Sequence, residues 1–479
     1  MGRGAEAYLL SRWLFLRLLG IVYLIAFASI AVQVAGLVGV HGILPAGQYL
    51  ESAYAAYGSF AYRALPTVFW FGASDAALQG VAWIGAGLAV LLILGIAPWA
   101  MLLLLWSLYL SLVVAGQDFL SFQWDTLLLE TGLAALLWAP MQWLPRRSEP
   151  EPSAAARWLL VFLVFKLMFL SGATKLLSGD PTWRSGTALH YHFETQPLPA
   201  WTAWYAHHLP EAVHRLMTYG TLAAELVLPW TLFLPGRLRR LRLLGVAGLV
   251  GLQVGIAATG SYGFFNLLAI VLCVPLLDDN LLGRILPLRL AVRDGEARPR
   301  QTVLAAITVL FFVPSLLGFM REIGFAPSAG YPILRVVAPL RSFNGYGLFR
   351  VMTTRRPEIV MEGSRDGKHW SEYGFRFKAG DIHRKPGFVA PYHPRLDWQL
   401  WFAALDPNGS REWLGALADR LRAGTPQVLA LMGKNPFGGS PPRATRAVVY
   451  DYHFSTSDQR KRTGAWWTRT PLGVMRLGP

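Results

Sequence analysis

The chain has 479 residues, of which 54% are hydrophobic and only 15% charged, with a formal net charge of +16. So little charge, combined with apolar runs of about 20 residues, excludes the ordinary soluble class, in which about a quarter of residues are charged. The basic excess falls between the apolar runs, so membrane topology explains it without nucleic acid, and the single cysteine, Cys273, can build neither an internal disulfide nor a zinc site.

The apolar part of the N-terminal stretch MGRGAEAYLLSRWLFLRLLGIVYLIAFASIAVQVAGLVGV is longer than a signal-peptide core, so it reads as a retained first span. Apolar runs predict about nine helices, near 14–40, 76–96, 98–116, 121–139, 157–177, 214–235, 241–259, 262–279 and 303–320. The arginines fit this count. Arg3 and Arg12 precede the first span. Arg146 and Arg147, then Arg237, Arg239 and Arg240, then Arg284, Arg289, Arg293, Arg298 and Arg300 fall in alternate connections, 140–156, 236–240 and 280–302. The opposite connections are poorer, with only Arg63 in 41–75. This positive-inside pattern supports an odd number of spans and places the C-terminal region outside the cytoplasm.

The span FQWDTLLLETGLAALLWAP (122–140) carries two carboxylates, Asp125 and Glu130. An ionised carboxylate in hydrocarbon needs a partner, water or a cation. The next span offers Lys166 and Lys175 at matching depths, which predicts two pairs, Asp125 with Lys175 and Glu130 with Lys166. Such pairs either hold two helices together or line a polar cavity that binds a ligand. The residues are five apart, so the two carboxylates point in different directions.

The connection that follows, 178–210, is the most polar stretch of the first 321 residues. It holds Asp180, Trp183, His190, His192, Glu194, Trp201, Trp204, His207 and His208. His190-x-His192-x-Glu194 would put three ligands on one side of a strand, which raises a metal site. The competing reading, and the one preferred, has no metal: tryptophans mark the membrane interface and the histidines hydrogen-bond locally.

Residues 322–479 contain no run of spanning length and carry 23 Lys plus Arg against 12 Asp plus Glu. Alternation around Asp366-Gly367 in 358–378 predicts a hairpin, and 446–458 with 463–470 a second strand pair. A helix is expected over 411–424. The result is a small, β-rich α+β domain outside the cytoplasm, attached to a mainly α, polytopic bundle formed by residues 1–321. In 391–405, Arg395, Asp397 and Trp398 suit either a partner-binding face, to which Trp183 would add, or a packed element with an internal salt bridge. Asn408-Gly409-Ser410 is a glycosylation sequon. P-loop, GxSxG and HExxH signatures are absent, and no catalytic residue or cofactor is assigned.

Several ordered stretches resemble the lipase maturation factor family: FQWDTLLLETG (122–132), SGATKLLSGDPTWRSGTALHYHFETQPLP (171–199), WYAHHLP (204–210), TGSYGFFNLL (259–268), PRLDWQLWFAAL (394–405) and NPFGGSPPRATRA (435–447). Ser261 stands where the family pattern has asparagine, and His190 where it has an acidic residue. The resemblance implies a multi-pass membrane protein, of the endoplasmic reticulum in animals or of the inner membrane in a bacterium. It also implies a chaperone-like folding factor that assists secreted lipases or other exported proteins; self-association is left open. A second reading is a membrane enzyme acting on a lipid or an exported protein, similar in architecture to the vitamin K-dependent carboxylase superfamily, with Lys175, Asp125 and His192 around its site. A transporter ranks third, because no matched pair of broken helices is present.

Overall fold

The computed structural model describes residues 7–292, 298–325 and 327–475. Arg3 and Arg293 of the loop argument lie outside them, as do the side chains of Arg298 and Arg300. The described chain is mainly helical. The principal helices are α1 (Leu9–Ala31), α2 (Asp75–Leu94), α3 (Pro98–Ala115), α4 (Gln123–Trp138), α5 (Ala154–Leu177), α6 (Ala188–Thr195), α7 (Trp201–His207), α8 (Glu211–Leu226), α9 (Arg239–Thr259), α10 (Phe265–Leu272), α11 (Arg298–Glu322), α12 (Arg395–Leu405) and α13 (Arg411–Arg422).

Every one of the nine expected segments contains a helix, but six helices among the described residues are long and apolar enough to cross a membrane. They are α1, α2, α3, α5, the stretch Gly236–Thr259 containing α9, and Gln301–Glu322 within α11. The other three segments are shorter or more polar: α4 and α8 have 16 residues each, and Phe265–Leu276 is a short apolar helix. The first segment stops sooner than expected. It ends at Ala31, and a separate turn runs Val34–Val38, because Gln33 turns its side chain to the C-terminal domain: its Nε2 donates to the carbonyl of His393 (2.9 Å), and its Oε1 accepts from the N–H of Arg395 (2.9 Å).

Local chemistry sets the other ends. Ser74 and Ser153 cap α2 and α5 through their hydroxyls, and Pro98 opens α3. Small residues set the close contact of α1 with α2. A Cβ at Gly85 would lie 2.3 Å from the Phe27 ring, so only glycine admits that ring.

The bundle has two distinct ends. At one, the Asp279 carboxylate accepts from the N–H groups of Leu9 and Leu10 (2.9 Å each), Arg12 pairs with Glu149 (2.9 Å), and Arg239 pairs with Asp278. At the other, the C-terminal domain docks. The His393 N–H donates to Ser29 Oγ (3.1 Å), the Val389 N–H to Ser261 Oγ (3.1 Å), and Ser178 Oγ to the carbonyl of Arg350 (2.8 Å).

That domain is built on an antiparallel sheet of β1 (Pro357–Ser364), β2 (Ser371–Glu372), β3 (Ala444–Phe454) and β4 (Trp467–Met475), in the order β2-β1-β3-β4. Ile359 pairs with Val449 and Phe454 with Trp467. Both strand pairs expected from the sequence form. The Asp366 carboxylate closes the β1–β2 turn by accepting from the N–H groups of Lys368 and His369 (2.8 Å each), while Gly367 takes a φ of +71°. Helices α12 and α13 cover the sheet, and the apolar core runs without a break from Phe15 and Leu160 of the bundle through Phe122 and Trp398 to Trp413 and Ala447.

The stretch 178–210 is not a loop. It folds as three short helices, Pro181–Ser185, α6 and α7, wedged between bundle and domain. The strand expected for His190, His192 and Glu194 is therefore corrected: residues two apart on a helix point to different sides. His190 is exposed, whereas His192 and Glu194 are buried.

Candidate functional site

The candidate residues gather where α4, α5, α6 and α8 meet the C-terminal domain. In α4, 13 of 16 residues are buried, so its two carboxylates face protein on different sides. The expected Glu130–Lys166 pair forms. Ser315 Oγ (2.8 Å) and Tyr346 Oη (2.6 Å) also donate to Glu130, which leaves the charge fully partnered.

The expected Asp125–Lys175 pair does not form. The Asp125 carboxylate takes a bidentate guanidinium from Arg395, at 2.5 and 2.8 Å, and the hydroxyl of Tyr109 at 2.6 Å. Lys175 instead contacts both oxygens of Glu225 at 2.6 Å, with its ammonium 4.9 Å from the Trp183 ring centre. The depth argument was sound for α4 and α5 alone. It failed because each charge has a better-placed partner on a third element, α12 for Asp125 and α8 for Lys175.

The 178–210 residues mostly build the joint. Asp180 accepts from the N–H and Oγ1 of Thr182 (2.7 and 2.6 Å) and from the N–H of Met352 (2.6 Å). Burial works against its carboxylate, but these hydrogen bonds outweigh it and hold the pKa below the usual value. Glu194 accepts from the N–H of Phe454 (2.8 Å) and from His453 Nδ1 (2.9 Å), with His207 Nε2 at 3.5 Å. His208 Nδ1 lies 2.7 Å from the carbonyl of Trp204. Among the described residues, no three His, Cys, Asp or Glu side chains are placed to hold a metal ion.

Arg395, Asp397, Trp398 and Trp183 do not form an exposed face: all four are buried. Asp397 makes no bridge with Arg395. It accepts from the N–H groups of Phe377 and Lys378 (2.9 Å each). The Trp183 indole donates to the carbonyl of Phe349 (3.0 Å), and Trp398 packs edge-on against Trp124 with ring centres 4.8 Å apart.

Two spaces flank this joint. One is a groove of about 550 Å³ between bundle and domain, lined by Phe122, Trp124, Trp398, Trp401, Phe402 and Leu405. Phe402 (41%) and Leu405 (39%) keep it open to the surface. The other is a cavity of about 370 Å³ between α5, α8 and α9, with Lys175, Glu225, His192 and Tyr262 at its polar end. Phe349 forms part of both walls and holds a φ of +53°, a strained conformation for so bulky a residue. Asp125 borders neither space, so Lys175 and His192 share a site without the third member expected of an enzyme.

Sequence reasoning missed Glu225, Tyr109, Tyr262 and Arg356. The Arg356 guanidinium is fully buried, donating to the carbonyls of Glu194 (2.7 Å) and Pro197 (3.0 Å) and pairing with Glu358 (2.7 Å). Glu225 carried the same signal as Asp125, a lone carboxylate in an apolar run. The others gave no local signal.

Comparison with known proteins follows the same two-part division. Residues 10–284 match the lipase maturation factor transmembrane domain, and residues 342–476 the lipase maturation factor C-terminal domain. Lipase maturation factor 2 of Homo sapiens is 36% identical over 96% of this chain and 81% of its own length, and that of Rattus norvegicus 34% identical over 95% and 81%. Lipase maturation factor 1 of Bos taurus is 34% identical over 98% and 89%. No solved structure matches the chain. Six apolar helices of spanning length among the described residues and a match through both domains lead to one conclusion: this chain is a multi-pass membrane protein that belongs to the lipase maturation factor family.

Proposed function

We propose that this chain is a membrane-anchored maturation factor that assists the assembly of a secreted lipase or another exported protein. The observation that carries the reading is the extent of the match. Identity to proteins named lipase maturation factor runs through the bundle, the 178–210 segment and the C-terminal domain, across 95% or more of this chain. The function then belongs to the joined molecule. Its client-binding surface is the aromatic groove at the joint, where Trp401, Phe402 and Leu405 offer anchors for an apolar client segment.

The reading includes a topology. The shorter helices α4 and α8 and the stretch Phe265–Leu276 complete nine crossings. The arginine-rich connections gather at the end where Asp279 holds the start of α1, which is the cytoplasmic end. The C-terminal domain and the groove then face the lumen of the endoplasmic reticulum, or the periplasm of a bacterium, where exported clients fold.

The test is co-expression with a dimeric secreted lipase, recording lipase activity per mass of lipase secreted. Wild-type protein should raise that specific activity. Phe402→Glu with Leu405→Glu should remove the gain while leaving the level of the membrane protein unchanged. A specific activity that does not respond to the protein rules out the lipase as client, and a gain that survives the double substitution moves the client away from the groove.

A further inference from the structure

We propose that the C-terminal domain docks on anionic phospholipid of its own membrane. Trp201, Tyr205 and Phe388 lie in the headgroup layer at the end of α9, and Lys385, Arg460, Lys461 and Arg462 hold lipid phosphates there. This inference does not rest on the maturation reading. It needs only that the stretch Gly236–Thr259 crosses the membrane.

The end of that stretch fixes the depth of the surface. The Ala200 N–H donates to the carbonyl of Thr259 (2.9 Å), the Thr202 hydroxyl donates to the carbonyl of Ala258, and the Val389 N–H donates to Ser261 Oγ (3.1 Å). Two segments far apart in sequence, the start of α7 and residues 385–389, are thus tied to the last residues of one span. Trp201 and Phe388 meet there with ring centres 6.1 Å apart, and the Tyr205 ring lies 5.9 Å from that of Trp201. Tyr205 and Phe388 are exposed. Exposed rings at the end of a span belong at the boundary of hydrocarbon and headgroups, where an apolar body and a polar edge are both satisfied.

Charge selects what the surface meets. Between β3 and β4, the sequence TSDQRKRTG (456–464) forms a short helix, Ser457–Thr463, with three basic residues and one acid, Asp458. A capping box starts it: the Gln459 N–H donates to Thr456 Oγ1 (3.2 Å), and the Thr456 N–H donates to Gln459 Oε1 (2.9 Å). The Arg460 guanidinium lies 3.6 Å from the Trp466 ring centre and 4.5 Å from that of Trp204, and its Nη1 donates to Tyr205 Oη (3.4 Å). Lys385 Nζ lies 4.5 Å from the Trp201 ring centre and 5.7 Å from that of Trp466. The rings hold two cations beside one another, and such contact leaves their charge intact. Lys385, Lys461 and Arg462 are exposed, and among the described residues neither they nor Arg460 has a carboxylate partner. Asp381, the acid nearest to Lys385 in sequence, instead accepts from the N–H of His383 (2.9 Å). Four cations without counter-ions beside exposed rings at the end of a span fit an anionic headgroup layer. The bilayer supplies its phosphates at the depth of the rings, so an acidic peptide from solution would first have to displace them.

The test uses the full-length protein in phosphatidylcholine nanodiscs that hold a trace of phosphatidylglycerol with a diazirine in its headgroup. Irradiation should label peptides spanning 201–205, 385–388 and 457–462. Replacing part of the phosphatidylcholine by unlabelled phosphatidylglycerol should suppress that labelling, whereas soluble glycerol phosphate and a polyglutamate peptide should not. Lys461→Glu with Arg462→Glu should cut the labelling about tenfold, equivalent to about 1.4 kcal/mol. Lys368→Glu with Arg443→Glu makes the same change in net charge at exposed positions by the other end of the sheet, where Ser364 pairs with Ala444, and should leave the labelling unchanged. Labelling that survives the first pair of substitutions, or that falls equally with both pairs, overturns the proposal. So does labelling that unlabelled phosphatidylglycerol fails to suppress, or that polyglutamate suppresses, the latter assigning the surface to an acidic protein.

Discussion

The Asp125 carboxylate and the Arg395 guanidinium form a bidentate pair, at 2.5 and 2.8 Å, with neither side chain exposed. Asp125 belongs to the bundle and Arg395 to the C-terminal domain, so the contact joins two parts of the chain 270 residues apart. Removing one partner leaves the other charged and buried. Asp125→Asn and Arg395→Met should each lower stability by about 3–5 kcal/mol, and Asp125→Leu combined with Arg395→Met should recover most of that loss. Thermal unfolding of the detergent-solubilised protein measures all three, and a double variant no better than the singles would show that the pair is not an isolated unit.

The re-assigned partners make a second prediction. Asp125→Asn and Lys175→Met act on separate networks, so their effects should add within about 0.3–0.5 kcal/mol. Lys175→Met and Glu225→Gln share one pair and should be strongly non-additive. The two double-mutant cycles, run side by side, distinguish the observed pairing from the one expected from the sequence. Coupling between Asp125 and Lys175 would restore the latter.

Acid should loosen the joint. Burial pushes the His207 pKa down to about 4; Glu194 opposes the fall, and His208, His190 and His214 add to it. His192 is likewise held near 4 by burial and Lys175. Between a pKa of 6.5 in the unfolded chain and about 4 in the fold, the unfolded state binds more protons. The stabilising contribution is therefore complete above about pH 6.5 and is lost as pH falls toward 4. The melting temperature should drop over that window, and less steeply in His207→Gln. An identical pH dependence in that variant would remove His207 from the account.

Topology can be read with single cysteines. In a Cys273→Ser background, Lys368→Cys lies in the exposed β1–β2 turn and Arg147→Cys in an exposed connection at the opposite end of the bundle. In sealed vesicles of known orientation, a membrane-impermeant maleimide should reach one but not the other until detergent is added. Labelling of both from the same side would contradict an odd number of crossings.

Much of this architecture is legible in the sequence because hydrocarbon imposes a simple rule on long segments. Nine apolar runs gave nine helical segments, and the Asp366-Gly367 turn and the β3–β4 pair follow from local chemistry. Glu130 and Lys166 could be paired because they sit on consecutive antiparallel helices at one depth. On sequence alone Asp125 is wrongly assigned to Lys175, because its true partner, Arg395, lies far along the chain in an element with its own plausible partner, Asp397, two residues on. The His190–Glu194 segment was misread because eight residues are too few to separate a helical from an alternating pattern. Buried Arg356 pairs with nearby Glu358, but its remaining partners, carbonyls of a segment some 160 residues away, show what pattern reading misses: backbone acceptors leave no mark on a sequence.

The continuous core has a consequence for the order of synthesis. Asp125 is synthesised well before Arg395 leaves the ribosome, so for that interval the bundle holds a carboxylate that waits for its counter-charge. The membrane part is an unfinished intermediate until the last third of the chain has been made and has folded back onto it. A premature stop before position 395 would then do more than delete a domain. It would leave the upstream helices permanently incomplete and mark the whole molecule for disposal, so truncations should behave as null alleles even where every span is intact.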